Sequence, residues 1–150
     1  MTVTWIVLAD RTRASIRRQR TLRGPFEHIE DLDHPEGRLH AGALESDRQG
    51  QTVDSSHGQP HGFSPHETVE EHLSAGFART IAHRLSTAAT ARRFDALVRV
   101  AEPRFLGLLR GALDHGTQQR VRGEIRKRLV DATDPDLAQH LADGAMHVAG

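Results

Sequence analysis

Two segments of the sequence each place an acid and an arginine directly after a run of apolar residues. They read WIVLADR and VRVAEPR, so Asp10 and Glu102 each follow a run that predicts a buried strand. If those strands are parallel neighbours, the two acids meet at one edge of the sheet, with Arg11, Arg13 and Arg104 around them. Ligands of open α/β sheets bind outside the carboxyl ends of the strands. The sequence therefore predicts a candidate site at this edge.

This pattern has three interpretations. In the first, each acid caps a turn or a helix and the arginines form solvated ion pairs with the acids. In the second, the arginines bind a phosphate or a nucleic acid, together with free backbone N–H groups where a helix starts at Arg104. In the third, Asp10 and Glu102 share a Mg²⁺ ion as in ribonuclease H. Further carboxylates for such a metal site are Glu67, Glu70, Glu71 and Asp131.

The positioning elements follow the order βββ-α-β-α-β-α. Apolar and alternating patterns predict three strands, at 3–9, 14–20 and 26–32, joined by short turns. A capping box from Ser64 to Glu67 predicts a long helix over about 65–91. The fourth strand is expected over about 96–101.

The remaining pattern predicts a helix, an edge-like strand and a last helix. Pro103 opens the first of these helices, and close packing on the sheet is the expected reason for Gly107 and Gly111. The charged segment QQRVRGEIRKRL is typical of an edge strand. The last helix runs from Asp134 to about Asp143, and the tail after it is expected to fray.

Length and charge limit the class of protein. The 150 residues suit one domain, residues 1–150, in which a Gly- and His-rich stretch at about 34–63 predicts a long flexible loop. Twenty basic and twenty acidic residues give a net charge of zero, which argues against a general nucleic-acid or membrane binder. Cysteine is absent, and the apolar runs are too short for a signal peptide or a membrane span, so we expect a cytoplasmic protein.

Eleven histidines raise the question of a metal site. Four of them lie around the loop and the start of the long helix, namely His57, His61, His66 and His72. None of their spacings is that of a zinc site, so a solvated loop is the default interpretation and we expect no metal there.

The segments WIVLADRTRASI, HPEGRL, ESDRQGQ and RFDALVRVAEPRFLGLLRGAL resemble the bacterial host attachment protein family, over about residues 3–140. Proteins of this family are described as required for attachment to host cells. Glu102 stands where the family often has proline. The family name comes from a phenotype, so the resemblance implies no particular chemistry.

That family is in turn remotely similar to the middle domain of archaeal and eukaryotic class 1 translation release factors. The similarity implies a ribonuclease-H-like topology and a Gly-Gly-Gln loop before a long helix. Here Gly58-Gln59 stands at the corresponding place, but His57 replaces the first glycine and Pro60 follows. In release factors the glutamine positions water at the ester of peptidyl-tRNA, so the resemblance implies that Gly58 and Gln59 are catalytic candidates.

Taken together, the sequence predicts an α/β domain with a five-stranded mixed sheet flanked by helices. The leading hypothesis is a non-enzymatic cytoplasmic module that binds RNA, a ribosome or a protein partner through Arg11, Arg13 and Arg104. The alternatives are a hydrolase of peptidyl-tRNA and a Mg²⁺-dependent nuclease. We expect no cofactor unless the nuclease interpretation holds, and no oligomeric state is predicted.

Overall fold

The elements follow the predicted order of three strands and then helices and strands in turn, with a short helix before the fifth strand and a short sixth strand added. The computed structural model describes residues 2–36 and 68–143, together with the backbone of residues 147 and 148. In these ranges the elements are β1 (Thr4–Ala9), β2 (Arg13–Gln19), β3 (Phe26–Asp33), α1 (Val69–Thr90), β4 (Ala96–Val100), α2 (Pro103–Ala112), the short α3 (His115–Gln118), β5 (Val121–Ile125), α4 (Asp134–Ala142) and β6 (His147–Val148).

The strands form one mixed sheet in the order β3-β2-β1-β4-β5-β6. The first three strands are an antiparallel meander, whereas β4 runs parallel to β1 and β5 runs parallel to β4. The predicted α/β class and the parallel pairing of the first and fourth strands are therefore confirmed.

The outer side of β5 differs from the prediction. The two-residue strand β6 pairs antiparallel with β5, at Gly123↔Val148 and Glu124↔His147. The expectation of a fraying tail is wrong at these two residues, and the sheet has a sixth, short strand. Nor is β5 the edge of the sheet, and its Glu124 is 4% exposed. The charged residues of β5 therefore do not all serve to prevent pairing at an open sheet edge, as the edge-strand prediction implied.

Each face of the sheet carries its own hydrophobic cluster. Alternate residues of β1 point to opposite faces, so Trp5 and Val7 pack under α1 and α2, while Ile6 and Leu8 pack with Leu137 of α4. Every residue of β4 is buried. This double burial explains why β1 is apolar from Trp5 to Ala9 and why β4 is apolar except for Arg99.

Helix α1 starts later than predicted. Its N-cap is Thr68, whose hydroxyl accepts from the backbone N–H of Glu71 at 3.0 Å, while the Glu71 carboxylate accepts from the backbone N–H of Thr68 at 3.0 Å. This is a complete capping box, four residues after the one predicted at Ser64. Ser64 itself lies outside the described residues.

Two arginines have a left-handed backbone. Arg92 follows the end of α1 with φ 59°, and Arg23 lies in the β2–β3 turn with φ 64°. The N–H groups of Arg92 and Arg93 donate to the carbonyls of Ala89 and Ala88, which is the Schellman ending that usually has glycine at this place. A side chain in this backbone region costs about 1–2 kcal/mol.

The glycines of α2 do not pack against the sheet. Pro103 opens the helix as predicted, but a Cβ built on Gly107 or Gly111 would meet no atom within 4 Å. Both residues are exposed. The prediction that close packing compensates for these glycines is therefore wrong.

The beginning of the predicted loop is tied to the domain. His34 is buried, its ring stacks on Phe77 at 4.7 Å, and its Nδ1 lies 2.9 Å from the carbonyl oxygen of Arg11. Residues 37–63 of that loop lie outside the described residues, and the single domain over 1–150 stays a prediction.

In the described residues, none of the helices has the length and apolarity that a membrane crossing needs.

Candidate functional site

The carboxyl ends of β1 and β4 meet at a pocket, as the sequence predicted. Leu8 pairs with Val100, and Asp10 and Glu102 each lie two residues beyond that pair. The pocket has a volume of about 860 Å³ and is lined by both acids, the N-terminal turns of α1 and α2, and one residue after β5. Its lining residues are Asp10, Arg11, Thr12, Glu70, Glu71, Ser74, Glu102, Arg104, Phe105, Leu108 and Arg128.

Asp10 holds the turn between β1 and β2. Its Oδ1 accepts from the backbone N–H and hydroxyl of Thr12, both at 2.8 Å, and from the backbone N–H of Arg13 at 2.9 Å. Its Oδ2 accepts from Arg128 at 3.0 Å. Burial acts to raise the pKa of Asp10, but these hydrogen bonds and the Arg128 charge outweigh burial and hold the pKa below its ordinary value. Asp10 is thus an ionised carboxylate with both oxygens engaged.

Glu102 is the N-cap of α2. Its Oε1 accepts from the backbone N–H of Phe105 at 2.8 Å, and its Oε2 accepts from that of Arg104 at 3.2 Å. The sequence predicted that these N–H groups are free to bind an external anion, and that prediction is wrong. The carboxylate of Glu102 already occupies the position that such an anion would take.

Each predicted anion-binding arginine has a carboxylate partner. Arg11 pairs with Glu70, and Arg13 pairs with Asp131. Arg104 lies 3.2 Å from Glu71, whose pKa is lowered first by the hydrogen bonds from Thr68 and further by the Arg104 charge. Arg13 is not among the pocket-lining residues, so only Arg11 and Arg104 of the predicted three face the pocket.

Sequence reasoning missed Arg128, which ties the segment after β5 to the site. It bridges Asp10 at 3.0 Å and Asp131 at 3.1 Å. The apolar floor of Phe105 and Leu108 was also missed, because both residues were assigned only to the apolar stripe of α2. A signal for Arg128 was present in the sequence, since it lies three residues before the acid Asp131.

A second charged group, buried in the core, was missed entirely. The Arg99 guanidinium, 1% exposed, donates to Glu124 at 2.6 Å and to Gln118 at 2.9 Å, and Arg110 donates to the other Glu124 oxygen at 2.7 Å. Arginine inside the apolar run ALVRV was the available signal, because such a charge needs a partner. Arg99 is not among the residues that line the pocket.

The chemistry of the described residues does not fit a metal ion. The Asp10 and Glu102 oxygens all accept hydrogen bonds from the protein, and in residues 2–36 and 68–143 no group of three or more His, Cys, Asp or Glu side chains could hold a metal. Gly58 and Gln59 lie outside the described residues, as do His57, His61, His66 and Glu67.

Fold and site define a class, which is an α/β domain with a charge-paired pocket at the carboxyl edge of its parallel strands. The chain belongs to the family described as protein required for attachment to host cells, whose model matches residues 5–141. No curated protein matches the chain. It is also similar to the crystal structure of the archaeal translation termination factor aRF1, at 10% identity and a TM-score of 0.43. That similarity covers 95% of this chain and 41% of the archaeal factor, so this chain spans less than half of its length.

Proposed function

We propose that the chain is a non-enzymatic cytoplasmic module that binds a segment of a partner protein in the carboxyl-edge pocket. The observation that carries the proposal is the pairing of opposite charges around an apolar floor. Four carboxylates and three guanidinium groups line the pocket, over Phe105 and Leu108. A protein segment offers what this surface needs, namely side chains of both signs next to apolar ones.

The same charge balance argues against RNA as the ligand of this pocket. A polyanion binds where positive charge is in excess, whereas here Arg11 and Arg104 are neutralised by Glu70 and Glu71. Exposed ion pairs contribute about 0–1 kcal/mol each, so a partner with acidic and basic groups exchanges them at little cost. A phosphate group would bind the arginines but would leave their present carboxylate partners without a counter-charge.

The engaged carboxylates support a binding role over catalysis. A general base or nucleophile needs a free oxygen facing its substrate, and those of Asp10 and Glu102 are occupied by donors of the protein itself. Hydrolysis of peptidyl-tRNA through Gly58 and Gln59 stays a prediction. A ribosomal release assay that compares wild type with Gln59→Ala tests it, and equal, negligible release by both proteins excludes it.

Site-specific photocrosslinking in cells tests the binding proposal. A photoreactive phenylalanine analogue replaces Leu108 in the pocket floor, and in the control it replaces Ala138 on the exposed side of α4. We expect a discrete, protease-sensitive adduct from position 108 and none from position 138. Absence of an adduct, or an adduct degraded by ribonuclease, contradicts the proposal.

Exchanging the charges of the Arg11–Glu70 ion pair distinguishes a role in partner binding from a role in folding. Arg11→Glu places two acids together, whereas Arg11→Glu with Glu70→Arg restores an ion pair with reversed direction. We expect the double variant to have the thermal stability of wild type but to crosslink as weakly as the single variant, because the partner meets the wrong charges. Full recovery of crosslinking in the double variant means that the pair only supports the fold.

A further inference from the structure

The opposite edge of the sheet collects arginines from three separate segments. Thr4 pairs with both Gln19 and Ala96, and Leu97 pairs with Val121. The β2–β3 turn, the residues after α1 and the start of β5 therefore lie together at the amino ends of the parallel strands. We call five residues of these segments the amino-edge arginine cluster, namely Arg23, Arg92, Arg93, Arg120 and Arg122.

In the described part of the chain, no member of this cluster forms an ion pair with a carboxylate. Arg120 donates to the carbonyl of Phe94 at 3.0 Å, and Arg122 donates to that of Gln119 at 3.1 Å. The Arg93 guanidinium lies 5.3 Å from the centre of the Trp5 ring. These contacts orient three of the five guanidinium groups, and none of them brings a compensating negative charge from the described residues.

The acids at this edge are already engaged within the chain. Asp95 accepts from the backbone N–H of Val3 at 2.9 Å, and Asp114 accepts from Ser86 at 2.6 Å and from the backbone N–H of Thr117 at 2.8 Å. Glu27 is shared by two further arginines, Arg18 at 3.0 Å and Arg20 at 2.9 Å. Among the described residues of this edge, the cluster together with Arg18 and Arg20 gives seven arginines against these three carboxylates, so the edge has an excess of positive charge although the whole chain is neutral.

The backbone adds a second reason to look outside the chain for a role. Arg23 and Arg92 occupy left-handed positions that favour glycine, and both side chains are exposed. The backbone N–H of Arg92 donates to the carbonyl of Ala89, but within the described residues neither guanidinium group makes a hydrogen bond, ion pair or ring contact. The two side chains are therefore available for a contact with another molecule.

We propose that the amino-edge arginine cluster binds the phosphodiester backbone of a single-stranded nucleic acid. The guanidinium fork matches a phosphate in a bidentate manner. Neighbouring strands lie about 4.8 Å apart, so the strand ends from β2 to β5 form a row about 14 Å long. A linear polyanion can follow such a row and contact several arginines at once. A membrane surface fits less well, because Leu22 is the one exposed large apolar residue at this edge among the described residues. The proposal is independent of the carboxyl-edge pocket.

Fluorescence anisotropy with labelled 20-mers of oligouridylate and oligothymidylate tests the proposal. Five phosphate contacts predict a slope of about −3.5 when the logarithm of the association constant is plotted against the logarithm of the salt concentration. The affinity of wild type should therefore fall about 100-fold between 50 and 200 mM salt. The test variant is Arg23→Gly with Arg92→Gly, since glycine fits both backbone positions and the fold is retained. We expect its affinity to fall about tenfold at low salt and its slope to flatten to about −2.

The matched control removes the same charge elsewhere. Arg79→Gln with Lys127→Gln takes two exposed cations from α1 and from the segment after β5, and we expect less than a twofold change. Equal affinity for both probes supports recognition through the phosphodiester, and binding of oligouridylate alone supports RNA as its source. The proposal is overturned if wild type binds neither probe, if the control falls as far as the test variant, or if only anionic lipid vesicles bind.

Discussion

Glu124 is expected to be a main determinant of stability, because it compensates a charge that the fold buries. The side chains of Arg99 and Glu124 are 1% and 6% exposed, and Arg110 completes the group from α2. Glu124→Gln leaves the Arg99 guanidinium buried beside neutral amides, without the carboxylate that compensates its charge. Removal of one partner from a buried pair costs about 3–5 kcal/mol.

Urea unfolding measures this effect, with fluorescence of the single tryptophan, Trp5, as the probe of the core. For a denaturant dependence of about 2 kcal/mol per molar urea, the midpoint falls by about 1.5–2.5 M. Replacement of both partners, Arg99→Met with Glu124→Leu, removes the charges together and should return stability to within about 1 kcal/mol of wild type. The control is Glu27→Gln, which also loses two arginine partners but at an exposed site, and its midpoint should barely move.

The pH dependence gives an independent check on the same group. Burial acts to raise the pKa of Glu124, but the Arg110 hydrogen bond and the charges of Arg99, Arg110 and Arg126 outweigh burial and lower the pKa. The stabilising contribution is therefore complete above the ordinary carboxyl pKa and is lost as the pH falls through the lowered one. A Glu124→Gln variant that costs less than about 1 kcal/mol at pH 7, or a double variant as unstable as the single one, refutes this reasoning.

Three other predictions concern stability and titration. Gly107→Ala and Gly111→Ala should each stabilise the protein by up to about 1 kcal/mol in urea unfolding, since a methyl group there meets no atom and improves helix propensity; destabilisation would mean hidden packing. Asp10→Asn should cost about 1–3 kcal/mol at pH 7, and the difference from wild type should shrink as the pH falls below about 4, because the pKa of Asp10 is lowered in the folded state; a constant difference would contradict this. Carbon-detected NMR titration should place the pKa of Asp114 at about 2, since Ser86 and Thr117 donate to its carboxylate, whereas Ser86→Ala should raise that pKa towards the ordinary value.

The sequence was most informative where the pattern is local. Continuous apolar runs predicted the central strands, and Pro103 predicted the start of α2, because strand burial and helix initiation leave direct marks on composition. The convergence of Asp10 and Glu102 also followed, since it depends only on two parallel neighbouring strands. Capping was harder: Thr68-Glu71 competes with Ser64-Glu67 as a capping box, and sequence spacing alone does not rank them.

Pairing between distant segments could not be predicted. The Arg11–Glu70 contact joins residues 59 positions apart, and Arg128 reaches Asp10 across 118 positions. The sequence shows each charge but not its partner, so it could suggest free arginines at the carboxyl edge where the fold has paired ones. The buried Arg99–Glu124 pair has the same cause, because its partners come from different strands.

The ion-pair partners in the fold also determine where a chain of zero net charge carries local charge. Twenty basic and twenty acidic residues exclude an overall excess of charge, but they do not fix the charge of either edge of the sheet. At the carboxyl edge, Arg11, Arg13 and Arg104 each meet a carboxylate. In the amino-edge arginine cluster, two members donate to carbonyl groups and one lies over an aromatic ring. Among the described residues, ion pairing therefore leaves little uncompensated positive charge at the strand ends that the sequence indicated, and arginines without a carboxylate partner gather at the opposite edge. A search for polyanion binding in this protein should start from the arginines that have no carboxylate partner among residues 2–36 and 68–143, and not from those that follow the carboxyl ends of its strands.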